Sequence, residues 1–271
     1  MGLVYAIANQ KGGVGKTTTV VNLAAYFGAR GKRVLCIDID PQGNTTTGLG
    51  IKKRSLTASS YHVLNGSAKI ADVIQQTEYE NVSIVPARDE LAGCELELSQ
   101  MEYRATRLRM QLLTCKADYD YIFIDCPPAL GLLTLNGLAA ADEIIVPMTA
   151  EFYALEGLSQ LMTTMKAVRA NLNPSLKIAG ILFVMFDPRL NVSRQVEEEV
   201  AKYFPDQIFR TKIPRNVRLS EAPSYGKPVM YYDKNSKGAE AYAELGMELL
   251  GETPPPKEKK RFQLFHRKNK N

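Results

Sequence analysis

Gln10-Lys11-Gly12-Gly13-Val14-Gly15-Lys16-Thr17-Thr18 is the stretch of this 271-residue sequence on which the reading of the rest depends. An apolar run at residues 3–8 precedes it and an amphipathic run at residues 19–30 follows it. Strand, glycine-rich loop and helix in that order build an anion cradle. Loop N–H groups and the helix N-terminus converge on phosphate, Lys16 reaches the outer phosphates, and the Thr17 hydroxyl is placed to ligate Mg²⁺. The general motif has glycine five places before Gly15, where this chain has Gln10. A second lysine, Lys11, stands at the mouth of the loop instead.

Residues 33–40 read as a second strand whose period of two sets Cys36, Asp38 and Asp40 on one side. It runs into the turn cluster Asp40-Pro41-Gln42-Gly43-Asn44. Residues 121–125 read as a buried strand ending at Asp125-Cys126-Pro127-Pro128. A carboxylate there is where a nucleotide hydrolase holds Mg²⁺, usually through water. Asp38 and Asp40 could point to the metal and the attacking water, although aspartate before proline also simply opens turns.

Further strands are expected at 82–85, 144–146, 178–185 and, briefly, 208–210. Helices are expected at 70–75, across 91–115 with Leu108, Leu112 and Leu113 on one face, and at 154–172. Two more follow, one marked by Val192, Val196 and Val200, the other at 238–250; residues 214–228 read as irregular and basic. Strands alternating with helices, with the phosphate loop after the first strand, predict an α/β fold: a three-layer sandwich forming one P-loop nucleotide-binding domain over residues 1–250. Its mostly parallel twisted sheet carries helices on both faces and binds ligand at its carboxyl edge.

Composition narrows the class. At 45% apolar residues the chain can fill a core, but no run of 18 apolar residues offers a membrane span, and the first residues lack a signal-peptide pattern. Cys36, Cys94, Cys115 and Cys126 occur singly, which fits reduced thiols in a cytoplasmic protein. The formal charge is +5, yet residues 254–271 carry seven Lys/Arg against Glu258, a net +6, so the body carries −1. Residues 251–271, with Pro254-Pro255-Pro256 followed by a basic stretch, are expected to be a stiff spacer and a disordered tail.

The loop, together with Asp38-Ile39-Asp40-Pro41-Gln42-Gly43-Asn44 and Ile124-Asp125-Cys126-Pro127-Pro128, resembles the deviant phosphate-loop ATPases of the ParA/MinD superfamily. Glu151-Phe152-Tyr153-Ala154-Leu155-Glu156-Gly157 and Ile213-Pro214-Arg215-Asn216-Val217-Arg218-Leu219-Ser220-Glu221-Ala222-Pro223 are similar to its chromosomal ParA branch, called Soj, from about residue 2 to residue 250. The resemblance implies ATP and Mg²⁺ as cofactors. Gly12, Gly13, Val14, Gly15, Lys16, Thr17 and Thr18 would cradle the phosphates of ATP. Lys11 would reach the partner's ATP across a nucleotide-sandwich homodimer. Thr17 would ligate Mg²⁺ with Asp38 and Asp125 in its outer shell, Asp40 would orient the attacking water, and Pro214 and Asn216 would line the adenine.

It also implies that arginines at positions matching Arg189 and Arg218 hold double-stranded DNA non-specifically once the dimer forms. That would make the protein nucleoid-associated. They stand in a basic set with Arg194, Arg210, Lys212, Arg215 and Lys227, which could equally be an ion-paired solvated face. A ParB-type centromere-binding partner would stimulate hydrolysis, and the same switch could serve replication initiation. The alternative is a MinD-like membrane ATPase positioning the division site, for which Phe262, Leu264 and Phe265 among cations would be the foot. The run at 214–223 favours ParA over it. A relative of nitrogenase iron protein is disfavoured because Cys94 and Cys126 do not match that cluster's ligand pattern.

Overall fold

A computed structural model describes residues 2–252. Their eight strands form one sheet: β1 (Leu3–Ile7), β2 (Val34–Asp38), β3 (Gln75–Gln76), β4 (Val82–Val85), β5 (Tyr121–Asp125), β6 (Glu143–Thr149), β7 (Lys177–Phe186) and β8 (Ile213–Pro214). Their order is β3-β4-β2-β5-β1-β6-β7-β8, parallel throughout except where β3 meets β4. The strand before the glycine loop is thus central. Register brings Ile7 and Asp38 each opposite Asp125, so the chain leaves β1, β2 and β5 at one level. That coincidence creates the site.

Both faces are covered. On one, α1 (Lys16–Ala29) packs Val20, Leu23, Ala24 and Phe27 on the sheet, where Phe27 meets Phe123 and Tyr121 edge-on. Helix α2 (Asn44–Gly48) lies beside it. The other face carries α3 (Ser60–Asn65), α4 (Ile70–Val73), α5 (Cys94–Ser99), α6 (Arg107–Leu112), α7 (Leu132–Ala140), α8 (Ala154–Asn171) and α9 (Asn191–Tyr203). After β8 come α10 (Val217–Glu221), α11 (Val229–Tyr232) and α12 (Lys237–Leu249); α12 returns to α1 and docks Tyr242 and Leu245. All four cysteines are buried and free.

Several local expectations need correction. The helix expected at 91–115 is broken. A 3₁₀ turn at Asp89–Gly93 leads into α5, and Tyr103 takes a left-handed φ of 54° before α6 begins. The apolar spacing persists because Leu98, Leu108 and Leu112 still reach the core, whereas Leu113 is 68% exposed. Residues 208–210 contribute only one bridge, Ile208 to Ile181, and the edge strand forms at β8 instead. Val192 is exposed, and Ser193 takes the inward place with Val196 and Val200. The expected irregular segment at 214–228 contains α10 and a 3₁₀ turn at Ala222–Tyr225. The tail expectation beyond Glu252 lies outside the described residues.

Candidate active site

At the carboxyl edge of β1 the loop wraps a cleft of about 520 Å³. Gly13 and Gly15 carry φ of 71° and 76°, left-handed values that a side chain opposes, and Gly15 caps α1 so that the helix N-terminus faces the cleft. Lys16 is buried and bridges the loop, its Nζ donating to the Lys11 carbonyl at 3.1 Å. Burial lowers its pKa, with Asp125 and Asp40 opposing that shift. Phosphate oxygens would supply the desolvated ammonium with a full counter-charge.

Asp125 is buried at the end of β5. Its Oδ2 accepts from the hydroxyls of Thr17 and Thr45, both at 2.7 Å, while its Oδ1 is buried with no hydrogen-bond partner. Asp38, also buried, accepts the Asp40 N–H on Oδ1 at 3.2 Å and both the N–H and the hydroxyl of Thr46 on Oδ2. Asp40 lies past the end of β2 and bends the chain, its Oδ1 accepting the Gln42 N–H at 2.9 Å. It therefore opens a turn and lines the cleft at once. Among the described residues no three His, Cys, Asp or Glu side chains converge to hold a metal by themselves. An oxygen-only set with one orphaned carboxylate oxygen fits Mg²⁺, which keeps waters and is held largely by phosphate. Thr17 and Asp125 would hold the ion, with Asp38, bonded by Thr46, beside them. When bound, the ion neutralises and orients the outer phosphates.

Both buried carboxyls titrate above the ordinary carboxylate range. Burial is the main cause for each; the neighbouring Asp125 adds to it at Asp38, while the Thr17 and Thr45 hydroxyls oppose it at Asp125. A raised folded-state pKa means that the folded protein keeps protons the unfolded chain releases from about pH 4 upward, so stability falls as pH rises through the raised values. Nucleotide-free protein is expected to melt higher at pH 6 than at pH 8, by roughly 2–4 °C for each kcal/mol involved. Calorimetry on Asp38→Asn should show a flatter dependence. An unchanged pH slope in that variant would refute the assignment.

Pro214 and Asn216 line the cleft on the side away from Asp125, with Val184 and Met185 of β7 and Leu219 of α10. Asn216 caps α10 by accepting the Arg218 N–H. Lys11 points elsewhere: its ammonium forms an ion pair with Glu151, just before α8. Phe152 and Tyr153, 73% and 79% exposed, follow Glu151 directly. Arg189, its side chain 87% exposed in the loop after β7, pairs with Asp187; Arg218 pairs with Glu221 and Asp233. Arg210 and Lys212 are also paired, with Glu248 and Glu197. Arg194 donates to Asn191, Arg215 lines the cleft, and Lys227 lines the hollow beside it. Sequence reasoning missed the partners Thr45, Thr46 and Glu151. The run Asn44-Thr45-Thr46-Thr47 straight after the acidic turn was the available signal for two of them.

A phosphate loop on the central strand and an orphaned carboxylate oxygen beside it define a P-loop nucleotide-binding protein, and the AAA domain family matches residues 2–178. The chain is 53% identical over 249 residues to the sporulation initiation inhibitor protein Soj of Bacillus subtilis (strain 168), covering 92% of this chain and 98% of the relative. The chain belongs to the ParA/Soj/MinD family of deviant Walker A ATPases. It is also 51% identical over 261 residues to the chromosome partitioning protein ParA of Myxococcus xanthus (strain DK1622), covering 96% and 92%. Among solved structures, cobyrinic acid a,c-diamide synthase from Mycobacterium smegmatis with a bound ATP analogue and magnesium matches at TM-score 0.81 and 38% identity, over 92% of this chain and 95% of that one. No helix among the described residues is long and apolar enough to cross a membrane.

Proposed function

We propose that this ATPase is a nucleotide-gated DNA-segregation switch: ATP joins two copies face to face, the dimer holds DNA without sequence preference, and hydrolysis releases it. The observation that carries the reading is the orientation of Lys11. Lys16 alone spans its own loop, while the Lys11 ammonium lies outside it on Glu151. That surface ion pair is worth about 0–1 kcal/mol, so a phosphate charge brought by a second copy can displace it. Exposed Phe152 and Tyr153 beside it supply apolar area for the same contact. In the dimer, Lys11 neutralises charge developing on the partner's transferred phosphoryl group, Asp40 orients the attacking water, and Pro214 and Asn216 flank the base.

DNA binding is assigned to Arg189 and Arg218. Their carboxylate partners make a single subunit a weak binder, because phosphate must compete with Asp187, Glu221 and Asp233. Two-fold symmetry doubles the contacts, and counterion release makes the affinity fall steeply with salt. Turnover is slow alone and rises with a ParB-type centromere-binding partner. The test is co-sedimentation with random-sequence DNA and with anionic liposomes, in ATP and in ADP, over a salt series. Salt-sensitive DNA binding with ATP only, lost in Arg189→Ala/Arg218→Ala, is expected. ATP-dependent pelleting with liposomes instead would replace this reading with a MinD-like one.

A further inference from the structure

The basic run Lys52-Lys53-Arg54 lies outside the lining of the nucleotide cleft. Lys52 and Arg54 are exposed, but Lys53 is half-buried and its ammonium donates to the carbonyl of Gln42. Gln42 belongs to the turn that carries Asp40: its N–H is held by Asp40 Oδ1, and the next N–H, of Gly43, donates to the Asp40 carbonyl at 2.8 Å. Gly43 has a left-handed φ of 57°, and a Cβ there would stand 2.5 Å from Lys53 Cε. The end of the lysine side chain therefore lies against the outside of the turn at Gly43, where the left-handed backbone favours glycine. The turn's inner side is fixed independently. The Asp40 N–H donates to Asp38, Thr46 bonds Asp38, and the Ala87 N–H donates to Thr46 Oγ1 at 2.8 Å. Lys53 itself is held from behind: the Leu56 N–H donates to its carbonyl, Leu56 is buried, and Arg88 donates to the Leu56 carbonyl.

We propose that Lys53 is a positioning residue for hydrolysis, its ammonium clamping the Gln42 carbonyl so that the Asp40-Pro41-Gln42-Gly43 turn keeps the Asp40 carboxylate aimed into the nucleotide cleft. Without the clamp the turn is still tied through Asp38 and, at the Gly43 carbonyl, through Thr47, but nothing holds the Gln42 carbonyl, and the turn can swing outward there. The inference rests on Asp40 orienting the attacking water. Misplacing a reacting group by about an ångström costs up to about 100-fold; the turn keeps its inner bonds, so Lys53→Met should lower kcat about tenfold while KM for ATP stays within about twofold. Lys53→Arg, which keeps a donor at the end of a long stem, should recover at least about half of the lost rate.

The experiment is a kinetic cycle on the full chain with ATP, using Lys53→Met, Asp40→Ala and the double variant, joined to amide hydrogen exchange on nucleotide-free protein. Lys53→Met should add nothing in the Asp40→Ala background, and it should speed exchange at residues 42–43. Equal rate losses in both backgrounds, an unchanged kcat, or unchanged exchange would overturn the proposal. Normal turnover by Asp40→Ala itself would sink the role given to Asp40 and with it the catalytic part of this inference. Because exchange is read without turnover, that failure is distinguishable from a clamp that does not exist.

Discussion

Asp40→Ala should bind ATP and form the ATP-dependent dimer as the parent does while hydrolysing about 100-fold more slowly, the lower part of the range for losing a positioned acid–base group. The geometry separates binding from chemistry. The phosphate cradle consists of loop N–H groups, Lys16 and the α1 N-terminus, none of which relies on Asp40 for its shape. Removing this carboxylate even takes away a negative charge that now raises the Asp125 pKa. What the variant loses is the one acid at the cleft that leads a turn rather than standing at a strand end. Asp40→Asn distinguishes its two functions. The amide oxygen still accepts the Gln42 N–H, so a residue that served only the turn would leave Asn near full activity. Slow turnover in both variants, with unchanged sedimentation of the ATP dimer, places the requirement on the charge. Normal phosphate release by Asp40→Ala would remove the residue from the mechanism.

How far the sequence could be read depended on whether the signal was local. The loop, the strand before it and the acid ending β5 were legible because strand–glycine loop–helix is a contiguous pattern. The sheet that aligns them was legible as alternation of element types. The break at 100–106 was not: Leu98, Leu108 and Leu112 fill the same core from either side of it, and the left-handed Tyr103 between them carries no glycine to announce it. The Asp38 and Asp125 partners escaped for another reason. Thr45 and Thr46 lie 80 and 8 residues from the carboxylates they bond, and only the β2–β5 register shows that both acids meet one helix start. Lys11 was legible as an extra cation, but its ion pair crosses 140 residues to Glu151.

Gly12→Val should abolish the ATP-dependent dimer and leave ATP binding within about threefold, because nothing inside the subunit opposes the new side chain. A Cβ at Gly12 meets no atom within 4 Å, and its φ is not left-handed. The branch therefore starts from open space on an exposed part of the loop in the monomer, and the steric cost is expected when a second copy closes over it. Crowding of extra methyl groups into a packed contact costs about 1–3 kcal/mol. A two-fold dimer carries the substitution twice, so the penalty is about 2–6 kcal/mol, a loss of roughly 30-fold to more than 10⁴-fold at tenfold per 1.4 kcal/mol. Gly13→Val is the control in the opposite sense: with φ at 71° it strains the cradle itself and should impair nucleotide binding in the monomer. Calorimetry of ATP binding beside analytical ultracentrifugation distinguishes the pair. A normal ATP dimer of Gly12→Val would mean that the loops do not face each other, and the trans role of Lys11 would fall with it. Loss of the dimer with ATP binding intact should also remove ATP-dependent DNA binding, although Arg189 and Arg218 are untouched, since one subunit offers phosphate only half the contacts.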